Sequence, residues 1–159
     1  MSKILKIGFG GGCHWCTEAV FQSLEGVKKV EQGWIASKAP YDTFSEAVIV
    51  HYSPKDISLE KLIFVHLNTH SSMNAHQMRG KYRSAIYYFN EPSISEIQEV
   101  MEKRSQISGK KYVTKTLAFK EFKLNQEDYL NYFKRQPDKP FCQRYIVPKL
   151  DWIAQIKEP

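Results

Sequence analysis

"KILKIGFGGGCHWCTEAVFQSLEGV", Lys3 to Val27, joins a β-prone run to three consecutive glycines, two cysteines three residues apart and a helical pattern. Ile4 to Phe9 reads as a first strand. Gly10, Gly11 and Gly12 break it and let the backbone turn sharply and come close to a ligand. Thr17 to Leu24 reads as a helix, with Ala19, Val20, Phe21 and Leu24 on its apolar side. Glu25-Gly26 ends it, because glycine accepts the left-handed conformation that closes a helix. The first turn of a helix has unpaired N–H groups and a partial positive charge. A cysteine at that point, Cys13, has its thiolate stabilised and becomes a nucleophile near neutral pH.

Outward from this segment, helices and strands alternate. Val27 to Ile35 reads as a second strand and Ala47 to Tyr52 as a third. Ser58 is set to cap a helix over Leu59 to Thr69. His70 to Lys81 is polar and non-periodic, and its length marks it as functional. Ser84 to Phe89 reads as a strand, followed by a helix from Ser93 or Ser95 to about Ser108. A strand over Thr114 to Phe122 and a helix over Gln126 to Arg135 come next. Pro140 to Pro148 reads as irregular, and Lys149 to Lys157 as a closing helix. This order predicts an α+β fold: a single-domain, two-layer sandwich with a mixed, mainly antiparallel sheet covered by helices.

Composition narrows the function. The 159 residues suffice for one domain with its own core. The net charge of +6 comes from lysines and arginines interspersed with acids, without the dense stripe that nucleic-acid binding needs. Apolar runs fall short of a membrane span, and the opening residues are too weakly apolar for a signal peptide. The expectation is a cytoplasmic protein with neither nucleic-acid nor membrane partners. Cys13, Cys16 and Cys142 are too few for a disulfide framework and point to a reactive thiol or a metal site. A zinc site would need a second half, and Cys142 with scattered His51, His66, His70 and His76 shows no tight pairing. Cys13 and Cys16 also fit a dithiol redox pair of the thioredoxin kind, although Pro40, Pro54 and Pro92 do not sit where that fold places its cis-proline.

A resemblance goes further. "GFGGGCHWCTEAVFQSLEGV" (residues 8–27) is similar to the active-site segment of the type A peptide methionine sulfoxide reductases, whose pattern is Gly-Cys-Phe-Trp followed by a helix ending in Gly-Val. "SEAVIVHYSPKDISLEKLI" (45–63) resembles the family's Ala-Glu-Val-Val strand, Tyr-Asp-Pro turn and next helix. "KYRSAIYYFNEP" (81–92) resembles its Gln-Tyr-Arg-Ser strand, and "QRYIVPKL" (143–150) its C-terminal Ile-x-Pro-Lys segment. The resemblance implies a ferredoxin-like plait over residues 1–159, with 137–159 a C-terminal segment carrying a recycling cysteine.

It also implies a chemistry: thiol-dependent reduction of methionine (S)-sulfoxide, free or in peptides, through a cysteine sulfenic acid and a disulfide relay. No metal or other cofactor is implied, and thioredoxin is the implied reductant. By resemblance Cys13 is the nucleophile. Glu46 is the acid that donates toward the sulfoxide oxygen from a partly buried place. Tyr82 hydrogen-bonds that oxygen, and Tyr41 matches the second such tyrosine across a gap. Trp15 would wall the methyl group. Cys16 and Cys142 are the resolving thiols, Cys142 being delivered by a mobile tail.

The departures are specific. His14 stands where the family has phenylalanine, Trp34 in "GWIAS" replaces a tyrosine, and the stretch from Tyr41 to Glu46 is shortened. The family's aspartate falls on Gln77, and its His-Gln pair near the C-terminus falls on Tyr129-Leu130. These leave a different sulfoxide substrate, or a binding role with catalysis lost, as alternatives, beside the general dithiol oxidoreduction that the Cys13–Cys16 pair allows.

Overall fold

The structure is a computed structural model that describes residues 3–70 and 81–156. Six strands form one sheet: β1 (Leu5–Gly10), β2 (Val27–Ala36), β3 (Ser45–Tyr52), β4 (Ala85–Tyr88), β5 (Lys115–Ala118) and β6 (Glu121–Leu124). Their order is β5-β4-β1-β3-β2-β6. The helices are α1 (His14–Gln22), α2 (Leu59–Thr69), α3 (Pro92–Ser108), α4 (Tyr132–Arg135) and α5 (Val147–Gln155). The first βαββαβ run lays its strands in the order β4-β1-β3-β2, all antiparallel, which is the ferredoxin-like arrangement. The crossover through α3 adds β5 parallel to β4, and β6 extends the other edge against β2.

Side-chain alternation along the strands builds the two faces. Ile7 and Phe9 of β1 and Val48 and Val50 of β3 point to one side, under Val20 and Phe21 of α1, Leu62 and Ile63 of α2 and Ile97 of α3. Phe9 stacks on Phe21 with centroids 4.6 Å apart. Full burial of each such side chain contributes about 1.5–3 kcal/mol. The reverse face carries Ile35, Ala47, Ile49 and Tyr87, closed by half-buried Phe89, Leu117, Phe119 and Phe122 rather than by a helix. The expected two-layer α+β class, with helices on one face, is what the chain forms.

Three expectations need correction. The helix after the glycines begins at His14, three residues before Thr17, because Cys13 itself is its extended N-cap (φ −60°, ψ 129°). The single strand expected over Thr114 to Phe122 is two strands, β5 and β6, on opposite edges of the sheet. The helix expected over Gln126 to Arg135 is a 3₁₀ turn (Glu127–Tyr129) and the short α4, separated by Asn131 at φ 55°. Ser58 caps α2 as its sequence requires, its hydroxyl accepting from Lys61 N–H at 3.0 Å.

The largest correction concerns the C-terminal segment. Residues 142–146 are not irregular but form a wide π-helical turn leading into α5. Cys142 and Ile146 are wholly buried against Cys16 and Ala19 of α1, with Tyr132, Phe133, Phe141 and Leu150 around them. Glu18, buried in α1, accepts the backbone N–H groups of Asn131 (3.0 Å) and Tyr132 (3.3 Å) and so ties this layer to the helix. Cys142 is therefore held in a packed layer, in place of the mobile tail expected from its prolines.

Candidate active site

β1 ends at Gly10, and the chain turns through Gly11 and Gly12 into α1. Gly11 lies at φ +148°, and a methyl group there would run into the His70 ring. Glycine is thus required by both conformation and space. The turn leaves Cys13 at the N-cap, half-buried, its carbonyl accepting from the N–H and the hydroxyl of Thr17, each at 3.1 Å.

The two cysteines of this turn are driven in opposite directions. The Cys16 thiol donates to the Cys13 sulfur and is the main reason the Cys13 thiol lies below its ordinary value. The N–H groups of Trp15 and Cys16 add to this, while burial and the Glu46 charge oppose it. Cys16 is pushed far up, first because its proton is the one donated, then by burial and the charge on Cys13. Burial also raises Cys142. All three thiols are free.

Glu46, at the start of β3, is buried beside this turn. Its Oε1 accepts the His14 backbone N–H at 3.1 Å, and Lys81 Nζ stands 3.7 Å from Oε2. Lys81 is raised by its hydrogen bond to Tyr82 and by nearby charge including Glu46. The backbone around residues 81–83 is clamped to β3: Glu46 N–H donates to Lys81 O at 2.9 Å, and the Ser45 hydroxyl accepts from Arg83 N–H at 2.7 Å. Buried Arg83 then donates to Ile35 O, Thr43 O and Tyr87 Oη at 3.1 Å, fixing the β2–β3 connection.

Two hollows, each about 310 Å³, flank the helix start. The first is lined by Gly11, Gly12, Cys13, Cys16, His70, Tyr82, Tyr145 and Lys149, among others. The second is lined by His14, Trp15, Trp34, Asn125 and Tyr129, with Lys123 over Trp34. Cys13, Cys16 and Tyr82 are thus brought together, and Glu46 reaches the next residue of the helix. Tyr41 borders neither hollow. The short β2–β3 connection turns it so that Lys115 Nζ, from the far edge strand, stands 5.7 Å over its ring. Trp15 packs with Tyr132 (centroids 4.2 Å, 5° between planes) and edge-on to Phe141, so much of the indole is spent on holding the C-terminal layer. Gln77 lies outside the described residues.

Several residues of the site escape a reading of the sequence. Lys81 lies inside a matched segment without a motif of its own, and Lys149, the lysine of the Ile-x-Pro-Lys segment, carries no sign there of a place beside Cys16. Asn125 and Gln32 are far apart in the chain and from His14, and nothing local marks them.

Comparison with known proteins agrees with this geometry. Residues 5–158 match the family model described as peptide methionine sulfoxide reductase. The peptide methionine sulfoxide reductase MsrA of Campylobacter jejuni (strain RM1221) is 33% identical over 160 residues, covering 93% of this chain and 97% of its own. The reduced form of Mxr1 from Saccharomyces cerevisiae superposes with a TM-score of 0.74 at 21% identity, over 88% of this chain and 90% of its own. Mxr1 in complex with Trx2, from the same yeast, gives 0.64 at 21%, over 80% and 84%. The chain belongs to the peptide methionine sulfoxide reductase family.

Proposed function

We propose that this protein reduces methionine (S)-sulfoxide, free or within peptides, with Cys13 as nucleophile and Glu46 as acid. The observation that carries the reading is the Cys13 thiol at the α1 N-cap, its thiolate held by the Cys16 S–H and two helix N–H groups, with the buried Glu46 carboxyl on the adjoining residue. The Cys13 thiolate attacks the sulfoxide sulfur. The sulfoxide oxygen transfers to Cys13 as a sulfenic acid, taking one proton from Glu46, and methionine leaves reduced by two electrons. The Tyr82 hydroxyl, on the same hollow, steadies the oxygen as charge grows on it.

Cys16 then attacks the Cys13 sulfenic sulfur, giving a Cys13–Cys16 disulfide and water. Oxidation of Cys13 removes the thiolate that held the Cys16 proton, so the main cause of its raised value disappears when it must react. Lys149, on the same hollow, favours the Cys16 thiolate. A dithiol protein such as thioredoxin returns both cysteines to thiols, and the solved Mxr1–Trx2 complex supports that choice of partner. Cys142 lies behind Cys16 as a second acceptor. The whole chain works as one catalytic domain in the cytoplasm. No helix among the described residues is long and apolar enough to cross a membrane.

The test is NADPH consumption through thioredoxin reductase and thioredoxin, with S- and R-sulfoxides supplied separately. Turnover of the S form alone is expected. Absence of turnover with either, in free or peptide form, would remove the assignment.

A further inference from the structure

His14 is one of the side chains at this site that the family pattern does not supply, and it is wired from both ends. Its Nδ1 lies 3.0 Å from Gly33 O, which can only accept, so Nδ1 carries a hydrogen. Its Nε2 meets Asn125 Nδ2 at 3.3 Å. The Asn125 amide is fixed, because its oxygen accepts Gln126 N–H at 2.8 Å while its nitrogen donates to Gln32 Oε1 at 2.6 Å. Gln32 is fixed in turn by donating to Tyr129 O at 3.0 Å. Every link therefore points one way, and the chain ends by presenting a donor to His14 Nε2.

On its other side, Nε2 faces Glu46 Oε1 at 3.5 Å, and both side chains are buried. No hydrogen bond joins them at that distance, and the hydrogen bonds around them decide which of the two carries a proton. If His14 held it, a second N–H would point at the Asn125 donor, and turning that amide over would break its bonds to Gln126 and Gln32. With the proton on Glu46, the bonds to Gly33, Gln126 and Gln32 survive, and the one Nε2 lone pair accepts from Asn125. From this geometry we propose that His14, held as a neutral Nδ1–H imidazole by the Asn125–Gln32 amide chain, is a positioning residue that turns a lone pair and no donor toward Glu46, and so leaves the proton on the group that must deliver it.

The proposal rests on Glu46 being the acid. Among the described residues, the other charged groups about the pair are Lys81, from the segment before β4, the Cys13 sulfur at the N-cap and Lys123 of β6 over Trp34. Lys81 Nζ stands 3.7 Å from Glu46 Oε2, on the side away from His14 Nε2, and is largely exposed.

Two measurements test it. In the reduced protein at pH 7, ¹⁵N shifts of His14 should report a neutral ring protonated at Nδ1. An imidazolium, or protonation at Nε2, would overturn the proposal, whatever the activity. Asn125→Asp keeps the shape and the acceptor for Gln126 N–H but offers Nε2 an acceptor in place of a donor. It should turn His14 into an imidazolium. It should also bring the alkaline fall of the single-turnover rate down by about one pH unit or more. Asn125→Leu, which removes the donor without adding a charge, should move that fall by less. Coincident pH profiles in wild type and Asn125→Asp, with the ring still neutral, would sink the idea. If instead Glu46→Gln proves as fast as wild type while the ¹⁵N result holds, the acid assignment fails and the tautomer assignment stands.

Discussion

The two hollows beside α1 have equal volume and lie one residue apart in sequence, yet they differ in kind. Successive helical residues turn by about 100°. Residues 13, 16 and 17 therefore line one side of the first turn, and 14 and 15 the other. The first side holds sulfur, glycine and the Tyr82 ring, and Gly12, Cys13 and Tyr82 match the family's pattern. The second holds the imidazole, two indoles and a buried amide chain, and most of the departures gather there. On the proposed mechanism the thiol side is constrained by the reaction, which needs a nucleophile and a resolving thiol there. The aromatic side needs only to position a carboxyl group and pack the C-terminal layer, and more than one set of side chains can do that.

If the division is right, damage on the thiol side should stop chemistry outright, and damage on the other should tune it. Cys13→Ser is expected to abolish sulfoxide reduction, in single turnover as well as steady state, because an alcohol is a far poorer nucleophile than a thiolate. Measurable methionine formation would break the comparison at its centre. Glu46 lines neither hollow but accepts the His14 N–H at the helix start between them. Glu46→Gln keeps its size and should lower the single-turnover rate by roughly 10²–10⁴, the usual loss of a general acid. A rate within a few-fold of wild type would move the proton donor elsewhere.

The next effect is on pH. Because Cys13 lies below its ordinary value, alkylation by iodoacetamide should be fast at pH values where a free cysteine is still protonated. Removing the Cys16 donor reverses the sign. In Cys16→Ala the rise of alkylation with pH should move up by about one to two units, the equivalent of a hydrogen bond to a charged group of about 1.5–3 kcal/mol. Cys16→Ser, which keeps a donor but on a shorter side chain that reaches the Cys13 sulfur less well, should fall between. Superimposed profiles for all three proteins would show that the helix N–H groups alone hold the thiolate.

The legibility of these features in the sequence follows their range. The α2 boundaries and the Ser58 cap were readable because a cap and a 3.6-residue pattern act within a few residues. The glycine turn and Cys13 were readable for the same reason. The β5–β6 break was not, since Lys115 and Glu121 belong to opposite sheet edges and only tertiary pairing separates them. Cys142 was misjudged because Pro137 and Pro140 suggest a loose tail, whereas its place is decided by Trp15, Glu18 and Cys16 on a helix more than a hundred residues earlier. The Glu46–His14–Asn125–Gln32 chain joins four separate segments, and one sequence carries no local sign of it.

The smallest expected effect is that of Cys142, and it separates packing from relay. The side chain is wholly buried in the apolar cluster behind Cys16. Cys142→Ser would place a hydroxyl there and, without a partner, cost about 1–3 kcal/mol, which confuses stability with chemistry. Cys142→Ala is the cleaner change, since it leaves only a small void, at about 1 kcal/mol or somewhat more. In this variant the single-turnover burst of methionine should be intact, because only Cys13 reacts. Thioredoxin-linked turnover should fall by less than in Cys16→Ala, because Cys16 is the thiol already hydrogen-bonded to Cys13 and Cys142 lies one step behind it. Peptide mapping after excess sulfoxide should find Cys13–Cys16 first and any bridge to Cys142 later. If mapping found only Cys13–Cys142 and Cys16 stayed free throughout, the order would be reversed. The packed C-terminal layer would then have to open in each cycle, and Cys16 would serve only to hold the thiolate.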